Sequence, residues 1–417
     1  MRYTAVSMTS ARIHGTATPA FAPLRRVFEE SFAAGEEIGA AICVYVDGEC
    51  VASLWGGVAD RDAGRPWRED TMATVFSVTK GLGALCMLML ADQGELQHDR
   101  RVADYWPEFA CHGKEDISVR QLLEHTSGLA AIDTPLHLYD FDSNPEKVTR
   151  ALLAQRPLWK PGSKQGYGAQ AWGPYVSELF YRITGQSIGR FFREHIAEPL
   201  GADVHIGLPA ELDHRVAQLY GTSFVSRLLH TLPHIVLRNS NEGRAGRRAL
   251  CKDTATHRAF VNPHGHDRSL DIYNEARVRR MELLWSGGLG SARGLARIYA
   301  PLALGGRDDG ATLLRSPTSL EPVRAPKPPA FDEVVRKPMT WSLGFLKEPV
   351  GVFSPNPEAF GHAGMGGALT LADPTHRMAF AYVHNNLDYH VRSPRALRLC
   401  EALYRCLGQQ MPRPAAS

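Results

Sequence analysis

The sequence lacks any long hydrophobic segment. No stretch of its 417 residues approaches the ~18 consecutive apolar residues that a membrane-spanning helix requires. The first 19 residues also lack the apolar run of a secretory signal peptide. We therefore expect a soluble, cytoplasmic protein with no membrane span.

Patterned cysteines and a strong net charge are also missing. The chain has seven cysteines and no Cys-x-x-Cys pair, so neither a disulfide framework nor a zinc site is indicated, and we expect mostly reduced core thiols. The net charge of +3 is too small to indicate a nucleic-acid partner. The composition, with 44% hydrophobic and 22% charged residues, is that of a globular protein with a sizeable core.

Hydrophobic patterns at the start of the chain predict one helix and one β-hairpin. Residues 1–19 show little pattern and are predicted to be a loose leader. Apolar residues at helical spacing predict a helix over 21–32. Two β-rich runs, 39–46 and 50–55, flank Asp47-Gly48, and this arrangement is a strong hairpin signal.

The middle of the chain is predicted to be mainly helical, with long connections. Ser118 and Gln121 have the spacing of a capping box at the start of one helix. Residues 221–280 are predicted to be an irregular lid, in which 239–248 form a polar loop. The predicted helical segments are 118–124, 146–155, 172–184 and 188–196.

Strand patterns return near the end of the chain and are followed by a helix over 395–407. Strands at both ends with helices between them predict an α/β fold with one sheet built from both chain termini. Residues 20–91 and 285–417 are assigned to the sheet domain, and 92–284 to an inserted helical domain. The predicted strands are 341–346, 359–364, 368–372 and 378–384.

A Ser-x-x-Lys sequence, Ser77-Val-Thr-Lys80, precedes the apolar stretch 81–90, and no other serine has a lysine three places on. A helix over this stretch places Ser77 at its positive end and Lys80 one turn away on the same face. An amine beside a hydroxyl can make serine a nucleophile without histidine. A helix-capping serine followed by an ordinary lysine is the alternative.

Tyr167 is a candidate for the second proton carrier of such a site. It follows the Pro161-Gly162 turn and precedes a predicted helix, which favours a rigid position beside a cleft. A tyrosine needs a lowered pKa or a proton relay with Lys80 to act as a base. A buried core tyrosine with a hydrogen-bonded hydroxyl is the alternative.

The glycine-rich run 360–367 is a candidate for the oxyanion donors. Four glycines around a strand end indicate a backbone that something approaches closely. If this run lies beside Ser77, the N–H groups of Ser77 and Met365 form an oxyanion hole, and His362, Gly364 and Gly366 contact the substrate. A glycine-rich hairpin with a core histidine is the alternative.

Two other motifs are interpreted as structural. Gly185-Gln-Ser187-Ile-Gly189 fits the Gly-x-Ser-x-Gly elbow of α/β-hydrolases, but that motif needs a preceding strand, and the pattern here is helical. We therefore interpret Ser187 as a helix N-cap. His264-Gly-His266-Asp267 has no matching ligand set and is interpreted as a solvated loop, so no metal site is predicted.

The order and rough spacing of Ser77-Val-Thr-Lys80, Tyr167 and His362-Ala-Gly364 resemble those of the serine β-lactamases and penicillin-binding proteins, whose serine nucleophile lies in Ser-x-x-Lys. Within that superfamily the chain looks most like the class C β-lactamase-related group and, most closely, the family VIII carboxylesterases. The resemblance covers about residues 21–407. The supporting stretches are 71–77, 105–109, 121–129, 198–201 and 360–367.

This resemblance implies a β-lactamase/transpeptidase-like fold, with an antiparallel sheet flanked by helices, an inserted helical domain and the site at their junction. It also implies that Ser77 is the nucleophile and Lys80 its activating partner. Tyr167 is then the general base and acid, and His362 heads the third motif. No cofactor is implied.

Two departures from the class C pattern favour neutral esters over β-lactams. Ala169 stands where those enzymes have an asparagine two places after the tyrosine. His362-Ala-Gly364 replaces their Lys-Thr-Gly, which grips the β-lactam carboxylate. Because a histidine is readily neutral at pH 7, an anionic substrate is less favoured.

The sequence therefore predicts a serine hydrolase that cleaves small-molecule carboxylic esters through an acyl-enzyme on Ser77. Three alternatives stay open at this point. They are β-lactamase or D-Ala-D-Ala carboxypeptidase activity, acyl transfer to an alcohol or amine in biosynthesis, and a non-catalytic acyl-binding homologue. The sequence does not indicate an oligomeric state.

Overall fold

The structure is a computed structural model that describes residues 12–221, 232, 241–265, 269–308, 310–347, 350–390 and 392–412. Its α-helices are α1 (Ala22–Ala33), α2 (Val78–Asp92), α3 (Val119–Leu123), α4 (Asp140–Ser143), α5 (Pro145–Ala154), α6 (Trp172–Thr184), α7 (Ile188–Phe192), α8 (Glu198–Leu200), α9 (Asn241–Leu250), α10 (Ala255–Val261), α11 (Ala276–Arg280), α12 (Ala292–Ala303), α13 (Glu321–Arg324) and α14 (Pro394–Cys406). A π-helical turn, Arg193–Ala197, joins α7 to α8.

The strands are β1 (Ile13–Ala17), β2 (Gly39–Val46), β3 (Glu49–Asp60), β4 (Arg65–Pro66), β5 (Ala73–Thr74), β6 (Val204–Ile206), β7 (Gly288–Gly290), β8 (Arg307–Asp308), β9 (Ala311–Thr312), β10 (Ala330–Phe331), β11 (Pro338–Ser342), β12 (Phe345–Lys347), β13 (Phe360–Ala363), β14 (Leu369–Asp373) and β15 (Met378–His384). The main sheet is antiparallel, in the order β1-β3-β2-β15-β14-β13-β12-β11-β10, with β4 paired to β3. Two smaller sheets have the orders β5-β7-β6 and β8-β9.

The two ends of the chain meet at the centre of the main sheet, as the sequence predicts. Strand β15 pairs with β2 over seven residues, from Met378 opposite Val46 to His384 opposite Ala40. The β2–β3 hairpin turns at Asp47-Gly48, where both residues have positive φ, 52° and 84°. Such a turn favours Asp-Gly because glycine adopts positive φ without steric cost.

Helices cover both faces of this sheet, so its central strands are buried on both sides. Helix α12 contacts β2, β14 and β15 on one face, and α1 packs against α14 in the apolar cluster of the other face. Successive side chains of β2 point to opposite faces. Ala41 and Cys43 pack in the layer that contains α12, and Ile42 and Val44 pack in the layer that contains α1 and α14. The predicted α/β architecture is confirmed.

Helix α2 is the buried element that positions Ser77. Residues 78–90 of this helix are all buried, as the apolar stretch 81–90 predicts. The helix contacts β12 and β13 on one side and α6 and α7 on the other. Helix α2 therefore lies between the main sheet and the helical part of the chain.

Two predictions about strands are wrong. Residues 13–17 of the predicted leader form β1, which pairs with β3 from Ile13 opposite Gly56 to Ala17 opposite Ala52. Its hydrogen-bonding partner is distant in sequence, so local pattern does not reveal the strand. The predicted strand 341–346 is instead the hairpin β11–β12, because Leu343 and Gly344 adopt positive φ, 47° and 91°, and turn the chain.

The predicted loop 239–248 is also wrong where the structure describes it, because Asn241–Leu250 is helix α9. Glutamate, arginine, alanine and leucine are good helix formers and here outweigh two glycines. Residues 222–231, 233–240 and 266–268 lie outside the described residues.

Candidate active site

Ser77 lies at the N-cap of α2, on a loop that is held in place by the three-stranded sheet β5-β7-β6. Val75 donates its N–H to the carbonyl of Gly288 in β7 (2.9 Å). The Thr79 hydroxyl donates to the Phe76 carbonyl (2.5 Å) and accepts from the Gly288 N–H (2.8 Å). Phe76 has φ of 46°, which is unusual for a bulky residue and marks local strain next to Ser77.

Lys80 is buried beneath Ser77, with its amine aimed at three oxygen atoms. The Nζ atom lies 3.3 Å from Ser77 Oγ, 2.8 Å from the Ala169 carbonyl and 3.1 Å from the Trp285 carbonyl. Burial lowers the pKa of Lys80 well below that of an ordinary lysine, because the charged ammonium loses its hydration. A neutral amine is compatible with this geometry, because it can donate its two N–H bonds to the carbonyls and direct its lone pair to the serine.

Tyr167 approaches Ser77 from the other side. Its hydroxyl donates to Ser77 Oγ at 2.8 Å, and the residue is only 8% exposed. Burial raises the pKa of Tyr167, so the phenol is neutral at pH 7. Lys80 Nζ lies 4.9 Å from the centre of the phenol ring. The structure thus brings all three predicted residues together around one hydroxyl.

Three residues that sequence reasoning missed hold Tyr167 in this position. Trp341 stacks on its ring with centroids 5.0 Å apart and planes 2° apart. The buried Asp332 carboxylate accepts the Tyr167 N–H at 3.1 Å. His125 packs edge-on against the ring at 5.1 Å and accepts the N–H of Gly168 through Nδ1 at 3.1 Å.

Only one of these three had a signal in the sequence. His125 belongs to the stretch 121–129 that carries part of the family resemblance, whereas Asp332 and Trp341 follow no motif. Burial, reinforced by Lys80, lowers the pKa of His125 well below that of an ordinary histidine. The ring is therefore neutral, and this state allows Nδ1 to accept its hydrogen bond.

The glycine-rich run lies beside the loop that carries Ser77. A side chain on Gly364 would place its Cβ 2.3 Å from the Val75 carbonyl oxygen, so the two backbones are in direct contact. Met365 follows at the surface with 42% exposure. Within the described part of the chain, the N–H groups of Ser77 and Met365 donate to no protein acceptor. Both donors are thus available to a ligand.

Buried contacts fix the conformation of this run. The Gly366 carbonyl accepts from the Asp388 N–H at 2.9 Å and from the Arg395 guanidinium at 3.3 Å. Arg395 is itself held by the buried Glu37 carboxylate at 2.7 Å. Burial raises the pKa of Glu37 to about 7, although Arg395 opposes that rise. The candidate oxyanion donor therefore belongs to a rigid segment.

His362 is buried more deeply than its predicted place in the lining of a pocket requires. It is 2% exposed, its Nδ1 lies 2.9 Å from the Ala363 carbonyl, and its ring packs 5.6 Å from that of Trp341. Burial, reinforced by Lys80, lowers the pKa of His362 to about 3, so the ring is neutral at pH 7. Contact of His362, Gly364 and Gly366 with a substrate stays a prediction.

The competing serine has a structural role, as its context predicts. Ser187 caps α7 by accepting the Arg190 N–H at 3.3 Å, and its hydroxyl donates to Glu282 at 2.8 Å. Helix α6 precedes it and ends at Gly185, where φ is 72°, so no strand leads into an elbow.

The described residues contain neither a cluster of metal-ligating side chains nor a membrane-spanning helix. No group of three or more His, Cys, Asp or Glu side chains there is arranged to hold a metal ion. Two residues of the predicted solvated loop, 266 and 267, lie outside the described part. In that part no helix is long and apolar enough to cross a membrane.

Most of the chain is similar to known proteins of the superfamily that the sequence motifs resemble. The Beta-lactamase family model matches residues 24–400. The esterase/beta-lactamase LipL of Mycobacterium tuberculosis is 32% identical over 383 residues, which are 90% of this chain and 83% of LipL. The crystal structure of a family VIII carboxylesterase superposes with a TM-score of 0.82 at 35% identity, covering 95% of this chain and all of that one.

A penicillin-binding protein homologue from Caulobacter crescentus also superposes closely. The TM-score is 0.81 at 35% identity, again over 95% of this chain and all of that one. Together with the Ser77, Lys80 and Tyr167 geometry, these matches confirm the predicted resemblance. The chain belongs to the beta-lactamase family, within the superfamily of serine β-lactamases and penicillin-binding proteins.

Proposed function

We propose that this protein is a serine hydrolase that cleaves small to medium carboxylic esters through an acyl-enzyme on Ser77. The observation that carries the proposal is the position of Ser77 Oγ, within hydrogen-bonding distance of both Lys80 Nζ and Tyr167 Oη. The names of LipL and of the family VIII carboxylesterase support ester substrates. No metal or cofactor enters the proposed reaction.

In the acylation step, neutral Lys80 accepts the Ser77 proton while Oγ attacks the ester carbonyl. Burial favours the neutral form of both Lys80 and Tyr167, so the resting pair holds a free amine and a phenol. The amine is the stronger base of the two, and its nitrogen lies 3.3 Å from Oγ. This assigns the base to Lys80 and leaves the phenol proton available for a later step.

The tetrahedral intermediate carries a negative oxygen that needs hydrogen-bond donors. The N–H groups of Ser77 and Met365 are the proposed donors, and neither has another protein acceptor in the described chain. Such preorganised donors typically contribute about 3–4 kcal/mol each to the transition state. Because Arg395 and Asp388 hold the neighbouring Gly366 carbonyl, the Met365 donor needs little reorganisation.

Tyr167 then gives its proton to the leaving alcohol, and the proton on Lys80 replaces it. A water molecule attacks the acyl group on Ser77, with the same pair as its base, and releases the acid. Phe76, next to Ser77, belongs to a buried apolar cluster, and we propose that this cluster forms one wall of the substrate site. The cluster includes Leu138, Tyr273, Trp285 and Leu387.

A second candidate function, β-lactam hydrolysis, is favoured by one observation, the name of LipL as an esterase/beta-lactamase. Two features of the site indicate that β-lactam hydrolysis is weaker than ester hydrolysis. Ala169 provides no amide for a β-lactam side chain, and neutral His362 offers no positive charge to a carboxylate. Nitrocefin turnover comparable to ester turnover would reverse this ranking.

The test is to compare Ser77→Ala with Ser187→Ala in hydrolysis of p-nitrophenyl butyrate and in labelling by a fluorophosphonate. We expect Ser77→Ala to abolish both hydrolysis and labelling, because among the described residues only Ser77 places a hydroxyl within hydrogen-bonding distance of Lys80 Nζ. Ser187→Ala should retain both, since it removes only a helix cap and a hydrogen bond to Glu282. Activity that survives in Ser77→Ala and disappears in Ser187→Ala would overturn the proposal.

A further inference from the structure

Two cysteines lie in contact on neighbouring strands of the main sheet. Cys43 in β2 and Cys50 in β3 have their Sγ atoms 3.7 Å apart. Tyr45 pairs with Cys50, and a bulge after Val44 shifts the register there. Because residues two apart in a strand share a face, and paired residues point the same way, all three side chains lie on the face that α12 covers.

The two thiols differ in exposure and in electrostatic surroundings. Cys43 is completely buried, whereas Cys50 is exposed. A hydrogen bond from the Cys43 thiol, and then the nearby Arg293 guanidinium, lower the pKa of Cys50 to about 7. Burial raises the pKa of Cys43 well above its usual range. The accessible sulfur is therefore the better nucleophile, and the protected one lies directly behind it.

No other pair of cysteines has this arrangement. All seven lie in the described part of the chain and all are free thiols, and only Cys43 and Cys50 have their sulfur atoms in contact. Cys251 is exposed like Cys50 but has no second thiol beside it. Cys251 therefore provides an internal reference for the oxidation of an exposed thiol that has no neighbouring thiol.

We propose that Cys43 and Cys50 are a redox modification site that closes to an intramolecular disulfide on reaction with a hydroperoxide. The Cys50 thiolate attacks the terminal oxygen of the hydroperoxide and breaks the O–O bond. This yields a sulfenic acid and an alkoxide, which is hydroxide when the oxidant is hydrogen peroxide. The Cys43 sulfur then attacks the sulfenic sulfur, the S–S bond forms, and the sulfenic oxygen leaves as water with the Cys43 proton. The two thiols lose two electrons in total, and the peroxide gains them.

The distance between the sulfurs makes this closure a local change. The sulfur atoms must approach from 3.7 Å to a bond of about 2.05 Å, a movement of less than about 2 Å. The other route for a sulfenic acid, further oxidation, is slower when a second thiol is in contact. The proposal rests on thiol chemistry and does not depend on the proposed ester hydrolysis.

The test uses the reduced full chain, treated with hydrogen peroxide, alkylated and digested with trypsin. Peptide 27–61 contains both cysteines and no other, because no Lys or Arg lies between Arg26 and Arg61. We expect this peptide to lose the mass of two hydrogen atoms and to resist alkylation until it is reduced. Cleavage after Glu49 should give two fragments that stay joined until a thiol reductant is added.

Single substitutions provide the controls. In Cys43→Ser, Cys50 should stop at the sulfenic acid and accumulate a dimedone adduct at least about tenfold above wild type. In Cys50→Ser, Cys43 should stay reduced, because it is buried. Wild-type peptide 27–61 that keeps two alkylatable thiols after Cys251 has oxidised would overturn the proposal. So would a dimedone adduct on wild-type Cys50 with Cys43 still free, or a disulfide joining two chains.

Discussion

Replacing Tyr167 by phenylalanine separates the chemistry of its hydroxyl from the packing of its ring. The substitution removes the 2.8 Å hydrogen bond to Ser77 but keeps the stack on Trp341. Loss of one hydrogen bond costs about 1 kcal/mol of stability, so the variant should fold. Loss of the proton donor should lower kcat/KM about 10²- to 10⁴-fold, or about 3–5 kcal/mol.

The choice of ester sharpens this prediction. A p-nitrophenyl leaving group departs as its anion and needs little help from an acid, whereas a simple alkoxide must be protonated as it leaves. The defect of Tyr167→Phe in kcat/KM should therefore be larger for ethyl butyrate, followed by acid release, than for p-nitrophenyl butyrate. A general role in folding or binding would reduce both rates equally.

Tyr175→Phe is the matched control. Tyr175 is also fully buried and donates a 2.9 Å hydrogen bond, but to the Leu152 carbonyl and not to the site. This variant should lose similar stability and keep wild-type rates on both esters. If Tyr167→Phe retained activity within threefold of wild type on ethyl butyrate, or if Tyr175→Phe were equally impaired, the assigned role of Tyr167 would be refuted.

Three further predictions concern the oxyanion run, the base and a buried carboxyl. Gly364→Ala should lower kcat by about 100-fold or more, since its Cβ would lie 2.3 Å from the Val75 oxygen, whereas Gly64→Ala, in open space, should not. Because burial lowers the pKa of Lys80, the pH profile of kcat/KM should fall only at acid pH, where Lys80 becomes protonated. If kcat/KM instead kept rising up to about pH 10, where an ordinary lysine loses its proton, the role of Lys80 as base would be contradicted. Glu37 has its pKa raised from 4.5 to about 7, so its stabilisation is complete below pH 4.5 and is lost as the pH rises through 7. Urea unfolding at pH 5 and pH 8 should show wild type losing up to about 3 kcal/mol relative to Glu37→Gln, and parallel curves would contradict this.

Local sequence patterns predict the parts of the fold that depend on near neighbours. The hairpin at Asp47-Gly48, the helix that Gly185 ends and the buried helix after Ser77 all follow from turn residues or from hydrophobic spacing. The capping box of Ser118 and Gln121 is confirmed for the same reason. Strand β1 and the turn at Leu343 escaped prediction, because the first depends on a distant partner and the second on an unusual φ at a leucine.

The family resemblance added residues that periodicity does not connect. Tyr167 and His362 lie 90 and 285 positions after Ser77, and no local rule joins them to it. The structure confirms the resemblance for the fold and brings Tyr167 to 2.8 Å from Ser77. It also buries His362 more deeply than expected, because β13 lies against α2 and Trp341.

The sequence by itself determined the Ser77–Lys80 pair, because a helix places residues three apart on one face whatever surrounds it. Only the tertiary structure decided the protonation state of Lys80 and the residues that contact the pair. Burial of Lys80 favours a neutral amine, two carbonyls accept its hydrogen bonds, and Trp341 with Asp332 orients Tyr167. These effects depend on desolvation and on contacts between residues far apart in the chain, and a local pattern carries neither.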